Sequence, residues 1–223
     1  MSITFALLAF CIGGAALLGW IFDIEILKRI HPTLVNMKAN TAVCVMLSAA
    51  CLLLLENRPI SDKRRLLVQV CAATVAIVGL ITFTEHLFNW NTGLDQLLFY
   101  ESPEEAGDSF PGRMGIAASL DFLFLGIAIL FLDARSTRWS RMSNNCVLLV
   151  VAVTLLVFLY YFYGIERFER IGLYFTIALH TVVAFLSLSA AILLARPERG
   201  IVGRRRRPDR VRSGGRLSRC DDR

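Results

Sequence analysis

Six long apolar blocks, at about 3–22, 39–55, 66–84, 114–132, 146–164 and 172–195, leave this chain almost no way to fold in water. Each comes near the roughly 20 residues a helix needs to cross a hydrocarbon core about 30 Å thick. A backbone in hydrocarbon must satisfy its own hydrogen bonds, so only helices or a closed barrel can cross it. Barrel strands would alternate apolar and polar residues over about ten positions, and these blocks do not alternate. The sequence therefore predicts an all-α integral membrane protein with about six transmembrane helices over residues 1–202. The second block has 17 uncharged residues between Lys38 and Glu56, the short end of the range, and also fits a half-buried core helix. The first block lacks a basic leader and is long for a signal peptide, so it reads as a retained span. A composition of 56% hydrophobic and 19% charged residues, with mean hydropathy +0.58, fits this class and excludes an ordinary soluble domain.

Of the six cysteines, Cys11, Cys44, Cys51, Cys71 and Cys146 fall inside proposed spans and Cys220 does not. None forms a C-x-x-C pair, so they read as small apolar helix residues and no metal or cofactor is expected.

The loops suggest an orientation. The tail after residue 195 has eleven arginines, and the connections 56–65 and 133–145 on its side hold four and three basic residues. The connections 23–38, 85–113 and 165–171 on the other side hold three, one and two. Cytoplasmic loops are the basic ones, which places both termini in the cytoplasm of a bacterial inner membrane, although most of the bias lies in the tail. The 85–113 connection becomes the main external loop, with six acids (Glu85, Asp95, Glu101, Glu104, Glu105, Asp108) against Arg113. The tail 203–223 is rich in Arg, Gly and Ser and predicts disorder. Its arginines are placed to touch anionic lipid, at about 1 kcal/mol each, rather than nucleic acid.

The even spans open alike: Met37-Lys-Ala-Asn40-Thr41, Met114-Gly-Ile-Ala117-Ala118 and Ile177-Ala-Leu-His180-Thr181. They close on charged stops, at Glu56-Asn-Arg58, Asp133-Ala-Arg135 and Arg196-Pro-Glu198-Arg199. Aligned on Asn40, Ala117 and His180, the offsets are 77 and 63, which predicts three helical hairpin repeats.

The most specific string is Glu85-His86-Leu-Phe-Asn-Trp90-Asn-Thr-Gly-Leu-Asp95-Gln-Leu-Leu-Phe99, followed by Phe110-Pro-Gly-Arg-Met114. With the Met-x-x-Asn-Thr-Ala opening and Leu193-Leu-Ala-Arg-Pro-Glu-Arg-Gly200, it resembles the N-terminal membrane-embedded sensory region of multidomain bacterial signalling proteins. These are mostly PAS-containing sensor histidine kinases, with some diguanylate cyclases. The likeness covers about residues 5–202 and implies signal input served by cytoplasmic output domains. The chain departs from that pattern at Ala117-Ala118, where relatives show Asn-Thr, and at Asp121, where an apolar residue is usual. After Gly203 the resemblance stops, with no phosphoacceptor His region, Gly-rich ATP lid or Gly-Gly-Asp-Glu-Phe signature. No enzyme activity is expected, and the chain reads as a truncated or frame-shifted sensor, or as a sensory module on its own.

Two ionisable residues fall inside spans. Asp121 lies about 10 Å along the fourth from its start and His180 at similar depth in the sixth, so both are expected to face the bundle interior, linked directly or through water. The bland reading is that each only hydrogen-bonds a neighbouring helix. Glu85, His86 and Trp90 form either the rim of an external ligand pocket or a solvated cap with an aromatic anchor. Asn40-Thr41 and His180-Thr181 read as interhelical hydrogen-bond glue of about 0.6 kcal/mol each. The 23–38 connection predicts a short amphipathic helix broken at His31-Pro32.

The function expected is a membrane-embedded sensory module without an output domain. Its partners would be the bilayer, a small ligand, and a homodimer mate or signalling protein. A small transporter or channel, or a non-catalytic membrane partner, is the alternative. Transport predicts a polar path through the bundle, yet no proline interrupts a span and Asp121 and His180 both lie near one end.

Overall fold

A computed structural model describes residues 1–29, 35–56, 59–101, 110–134, 136–163 and 178–195. They form an all-helical fold, 80% helix and without a strand. In chain order the helices are α1 (Ser2–Ile21), α2 (Glu25–Lys28), α3 (Ala39–Glu56), α4 (Asp62–Phe88), α5 (Ile116–Phe131), α6 (Thr137–Tyr163) and α7 (Leu179–Ala195). A single 3-10 turn, Leu94–Gln96, lies between α4 and α5.

Four helices are long and apolar enough to cross a membrane: α1, α3, α4 and the Thr137–Tyr160 part of α6. α5 and α7 are shorter apolar helices. α5 has 16 residues against the 19 expected, because Met114 and Gly115 stay outside the helix at its start and Leu132 is its C-cap. The carbonyl of Met114 is instead engaged by His86. Conversely, α4 and α6 begin at Asp62 and Thr137, well before their apolar blocks. α4 owes its early start to Ser61, whose hydroxyl caps the Arg64 N–H, with Asp62 favourably placed in the first turn. Trp139 does the same work for α6 by stacking on Phe131 at 4.5 Å. The break at His31-Pro32, the start of the sixth span, the Ile177 repeat opening and the basic tail lie outside the described residues.

α3, α5 and α7 pack on one another. Around them, α1 lies against α3 and α7, α4 against α3 and α5, and α6 against α5 and α7. Large exposed apolar side chains line the surrounding helices, among them Leu7, Leu8, Leu66, Val70, Ile77, Leu148, Leu155 and Leu159. None of them is on α3 or α5 among the described residues. Exposed apolar side chains in such number suit a lipid-facing periphery.

The central helices share one register. They start at Ala39, Ile116 and Leu179, the same offsets of 77 and 63 that align their sequences. Burial over 41–56 matches burial over 118–133 position by position. Val45, Phe122 and Phe185 correspond in this register and are all fully buried, with the two phenyl rings 4.8 Å apart. The surrounding helices share a register too. Ser2, Ala6, Ala9, Gly13, Ala16 and Gly19 are the buried face of α1. Val68, Ala72, Val75, Gly79, Thr82 and Glu85, each 66 residues further on, are buried on α4. Ser143, Val147, Val150, Thr154 and Val157 continue the pattern on α6.

Hydrogen bonds recur at matching places. Ser2 Oγ donates to Ala191 O at 3.0 Å, Ser143 Oγ to Ala128 O at 2.7 Å, and Cys51 Sγ to Val68 O at 3.7 Å. They link α1 to α7, α6 to α5 and α4 to α3. Small residues let the backbones approach closely. At Gly126 a Cβ would lie 2.6 Å from the Ala76 amide nitrogen, so only glycine fits there.

Candidate functional site

Among the described residues, the buried charged side chains other than Asp121 gather at one end of the bundle, where α1, α4 and α6 finish and α3, α5 and α7 begin. α4 stops at Phe88 with Asn89 left-handed as its C-cap. The chain then turns back over the helix end, through Gly93 and the 3-10 turn, and Glu85 holds it there. Its Oε1 accepts the Thr92 N–H at 2.8 Å and also the Thr92 hydroxyl. Arg113, just before α5, crosses the same space. Its Nε donates to Asp95 Oδ2 at 2.8 Å and lies 3.8 Å from Glu85 Oε2. Its Nη2 donates to the Trp90 carbonyl at 2.9 Å, and its guanidinium stacks 4.0 Å over the Phe110 ring.

A second ion pair closes the cap. Lys38, one residue before α3, places Nζ 2.8 and 2.7 Å from the two carboxylate oxygens of Glu101. Glu101 Oε2 also accepts the Gly112 N–H at 2.6 Å. Gly112 is left-handed, at φ +78°, and a Cβ there would come within 2.6 Å of the Asp95 carbonyl oxygen. Asn40 Nδ2 reaches the Gly112 carbonyl, and Gln96 Nε2 those of Glu101 and Pro111. On the α1 side, Trp20 Nε1 donates to Met37 O at 2.8 Å and its ring lies 5.8 Å from Phe99. Lys28 sits over the same indole and pairs with Asp23 and Glu25. The cap thus ties the connection after α1 to the connection after α4.

These groups are unusually dry for their charge. Glu85 is 0%, Glu101 2%, Arg113 5%, Asp95 7% and Lys38 9% exposed. Buried charges persist only when paired and hydrogen-bonded. Burial raises the Asp95 pKa, with the Arg113 hydrogen bond pulling the other way and the charge of Glu85 adding to the rise. Two acceptors in the cluster have no hydrogen-bond partner, Glu85 Oε2 and Asp95 Oδ1.

The five residues singled out from the sequence divide into two groups. Glu85, His86 and Trp90 belong to the cap. Glu85 is not a solvated rim group but its most buried member. His86 Nε2 lies 2.9 Å from Met114 O, and since a carbonyl only accepts, that nitrogen carries the hydrogen. Trp90 contributes its carbonyl, while its ring is 53% exposed and lies edge-on to Phe88 at 6.2 Å, as an interfacial anchor does.

Asp121 and His180 are not joined by a hydrogen bond. Asp121 Oδ2 accepts from Thr154 Oγ1 of α6 at 2.9 Å, and His180 Nε2 is buried without a partner. Successive helical residues point about 100° apart. Phe122 takes the face toward α7, which turns Asp121 toward α6. Asn40 acts as glue to a connection rather than to a helix, and Thr181 Oγ1 bonds nothing.

The sequence reading passed over Lys38, Asp95, Glu101 and Arg113 as site residues, yet the repeat register could have flagged one of them. Lys38 stands where the other two repeats have Gly115 and Ala178. No group of three or more His, Cys, Asp or Glu residues suited to a metal ion occurs among the described residues. No protein-family model, curated protein or solved structure matches the chain.

Proposed function

We propose that this chain is a membrane-embedded signal-input module: six helices crossing a bacterial inner membrane as three hairpins, with the ion-paired cap facing outward as receptor site. The shared register of α3, α5 and α7 supports the hairpin repeat, as do the recurring bonds of Ser2, Cys51 and Ser143. Basic residues at the opposite end support the orientation. Lys63, Arg64, Arg65, Arg138 and Arg141 are all exposed there, as cytoplasmic residues near anionic lipid would be.

One observation carries the sensory reading. The buried charge is concentrated at one end, where it bridges two hairpins through Lys38–Glu101 and closes over α4 through Arg113. A through-path for transport would instead string charged groups along the bundle, where Asp121 is the one buried charged side chain among the described residues. A cap that bridges two hairpins changes their relative position when it opens, which is what an input module must pass to a partner on the inner face.

The test is a distance measurement across that inner face. Spin labels at Ser61 and Ser136, in a chain with its native cysteines replaced and held in lipid nanodiscs, report the spacing of the inner connections. The proposal expects Lys38→Met to shift that distance distribution relative to the chain with an intact cap. An unchanged distribution, with the variant folded, refutes the coupling.

A further inference from the structure

The cap is one positive charge short. Lys38 and the Gly112 N–H satisfy Glu101. Arg113, by contrast, faces two carboxylates, with Nε 2.8 Å from Asp95 Oδ2 and 3.8 Å from Glu85 Oε2. The Trp90 carbonyl takes another of its donors, and Thr92 supplies Glu85 Oε1 only. His86 is close enough for its charge, when protonated, to act on Asp95, but its Nε2 hydrogen goes to Met114 O. With His86 neutral, the Glu85–Asp95–Arg113 cluster carries one unmatched negative charge. Glu85 Oε2 and Asp95 Oδ1 are left over as open acceptors, on side chains more than nine-tenths buried.

An ionised carboxylate oxygen can only accept. The cluster therefore lacks a cation or a donor; an anion or an apolar molecule would leave both oxygens unsatisfied. Burial of both residues limits the occupant to a few atoms at most. Hard oxygen acceptors exclude soft metal ions.

We propose that Glu85 and Asp95, beside Arg113, are a binding site for one small unit positive charge, a proton or an alkali-metal ion. Occupied, the cluster is neutral and the cap is held shut. Emptied, it holds two carboxylates against one guanidinium in a low-dielectric pocket, and the connection over α4 loosens. Both carboxylates face the one Arg113 guanidinium, so occupancy belongs to the two together. The inference rests on the outer-face receptor reading and names its ligand class. Its test reads occupancy directly and needs no signal at the inner face, so either idea can fail while the other stands.

The experiment is infrared difference spectroscopy of the full chain in nanodiscs, titrated from about pH 4 to about pH 9, first in choline chloride and then in sodium chloride. The proposal expects a carboxylic-acid carbonyl band that disappears on the alkaline side of a free aspartate. A midpoint unmoved by sodium identifies the proton as the occupant; a midpoint lowered by up to one pH unit per tenfold sodium identifies a competing metal ion. Glu85→Gln and Asp95→Asn should each remove the titrating band, because the remaining carboxylate then has Arg113 to itself. If one of them does not fold, the other and the unaltered chain still decide. The proposal is overturned if no band titrates, or if the titrating band survives both substitutions and vanishes only in Asp121→Asn.

Discussion

The two ends of the bundle handle charge in opposite ways. At the capped end Lys28, Lys38 and Arg113 are buried and ion-paired, Lys38 with Glu101 of a neighbouring connection and the other two with carboxylates of their own connections. At the other end Lys63, Arg64, Arg65, Arg138 and Arg141 sit exposed in the first turns of α4 and α6. The difference teaches that a count of basic residues per loop understates the asymmetry of the molecule. Paired, buried cations are neutralised within the fold, whereas exposed ones remain available to anionic lipid.

Breaking the comparison at its strongest point means removing Arg113. Arg113→Gln leaves Glu85 and Asp95 facing each other without a cation, and loss of one partner from a buried pair costs about 3–5 kcal/mol. Hydrogen exchange should show the 89–101 connection opening by that margin. Acid should restore the variant. Burial already raises the Asp95 pKa, so the folded cap binds protons more readily than the unfolded chain. Stability from this group therefore falls as pH rises above the ordinary carboxylate value near 4. The loss ends once pH passes the raised folded value, and Asp95→Asn should flatten this dependence.

A smaller effect is expected inside the bundle. Asp121 and Thr154 occupy places where the other two interfaces have Cys44 with Gly79 and Ala184 with Gly13. They place a side-chain hydrogen bond where those positions carry only small residues. Such bonds between membrane helices average about 0.6 kcal/mol, so Thr154→Val should lower the unfolding free energy by about that much in detergent titrations. A loss several times larger would mean that Asp121 carries a charge held by Thr154. Smallest of all is the basic end: Arg138→Gln with Arg141→Gln should change stability by less than about 0.5 kcal/mol. The same pair should raise the fraction of inverted molecules in a topology assay, because it removes charges that orient the chain.

The sequence was informative where the physics is local and periodic. Apolar blocks located the helices, and the offsets of the Asn40, Ala117 and His180 alignment recur in the starts of α3, α5 and α7, although the block expected from 114 missed the start of α5 by two residues. Ends set by capping and ring contacts were missed, as at Ser61 and Trp139, because they depend on a few polar or aromatic groups outside the apolar run. The cap was read least well. Lys38 and Glu101 are 63 residues apart, and nothing in either connection says that the two fold over the same helix ends. The acids of 85–113 were counted as signs of an external loop, when Glu85, Asp95 and Glu101 are interior. Positions that break the repeat were the better signal. Lys38 against Gly115 and Ala178, and Asp121 against Cys44 and Ala184, each put a charge where the equivalent residues are small, while Glu85 stands against Gly19 and Tyr160.

The most direct test is cysteine labelling in intact cells, using a membrane-impermeant maleimide on a cysteine-free chain. Leu98→Cys in the cap should react from outside, while Ser61→Cys and Ser136→Cys at the opposite end should react only after the membrane is opened. Equal labelling of all three positions, or labelling of Ser136→Cys alone in sealed cells, would contradict both the crossing helices and their direction.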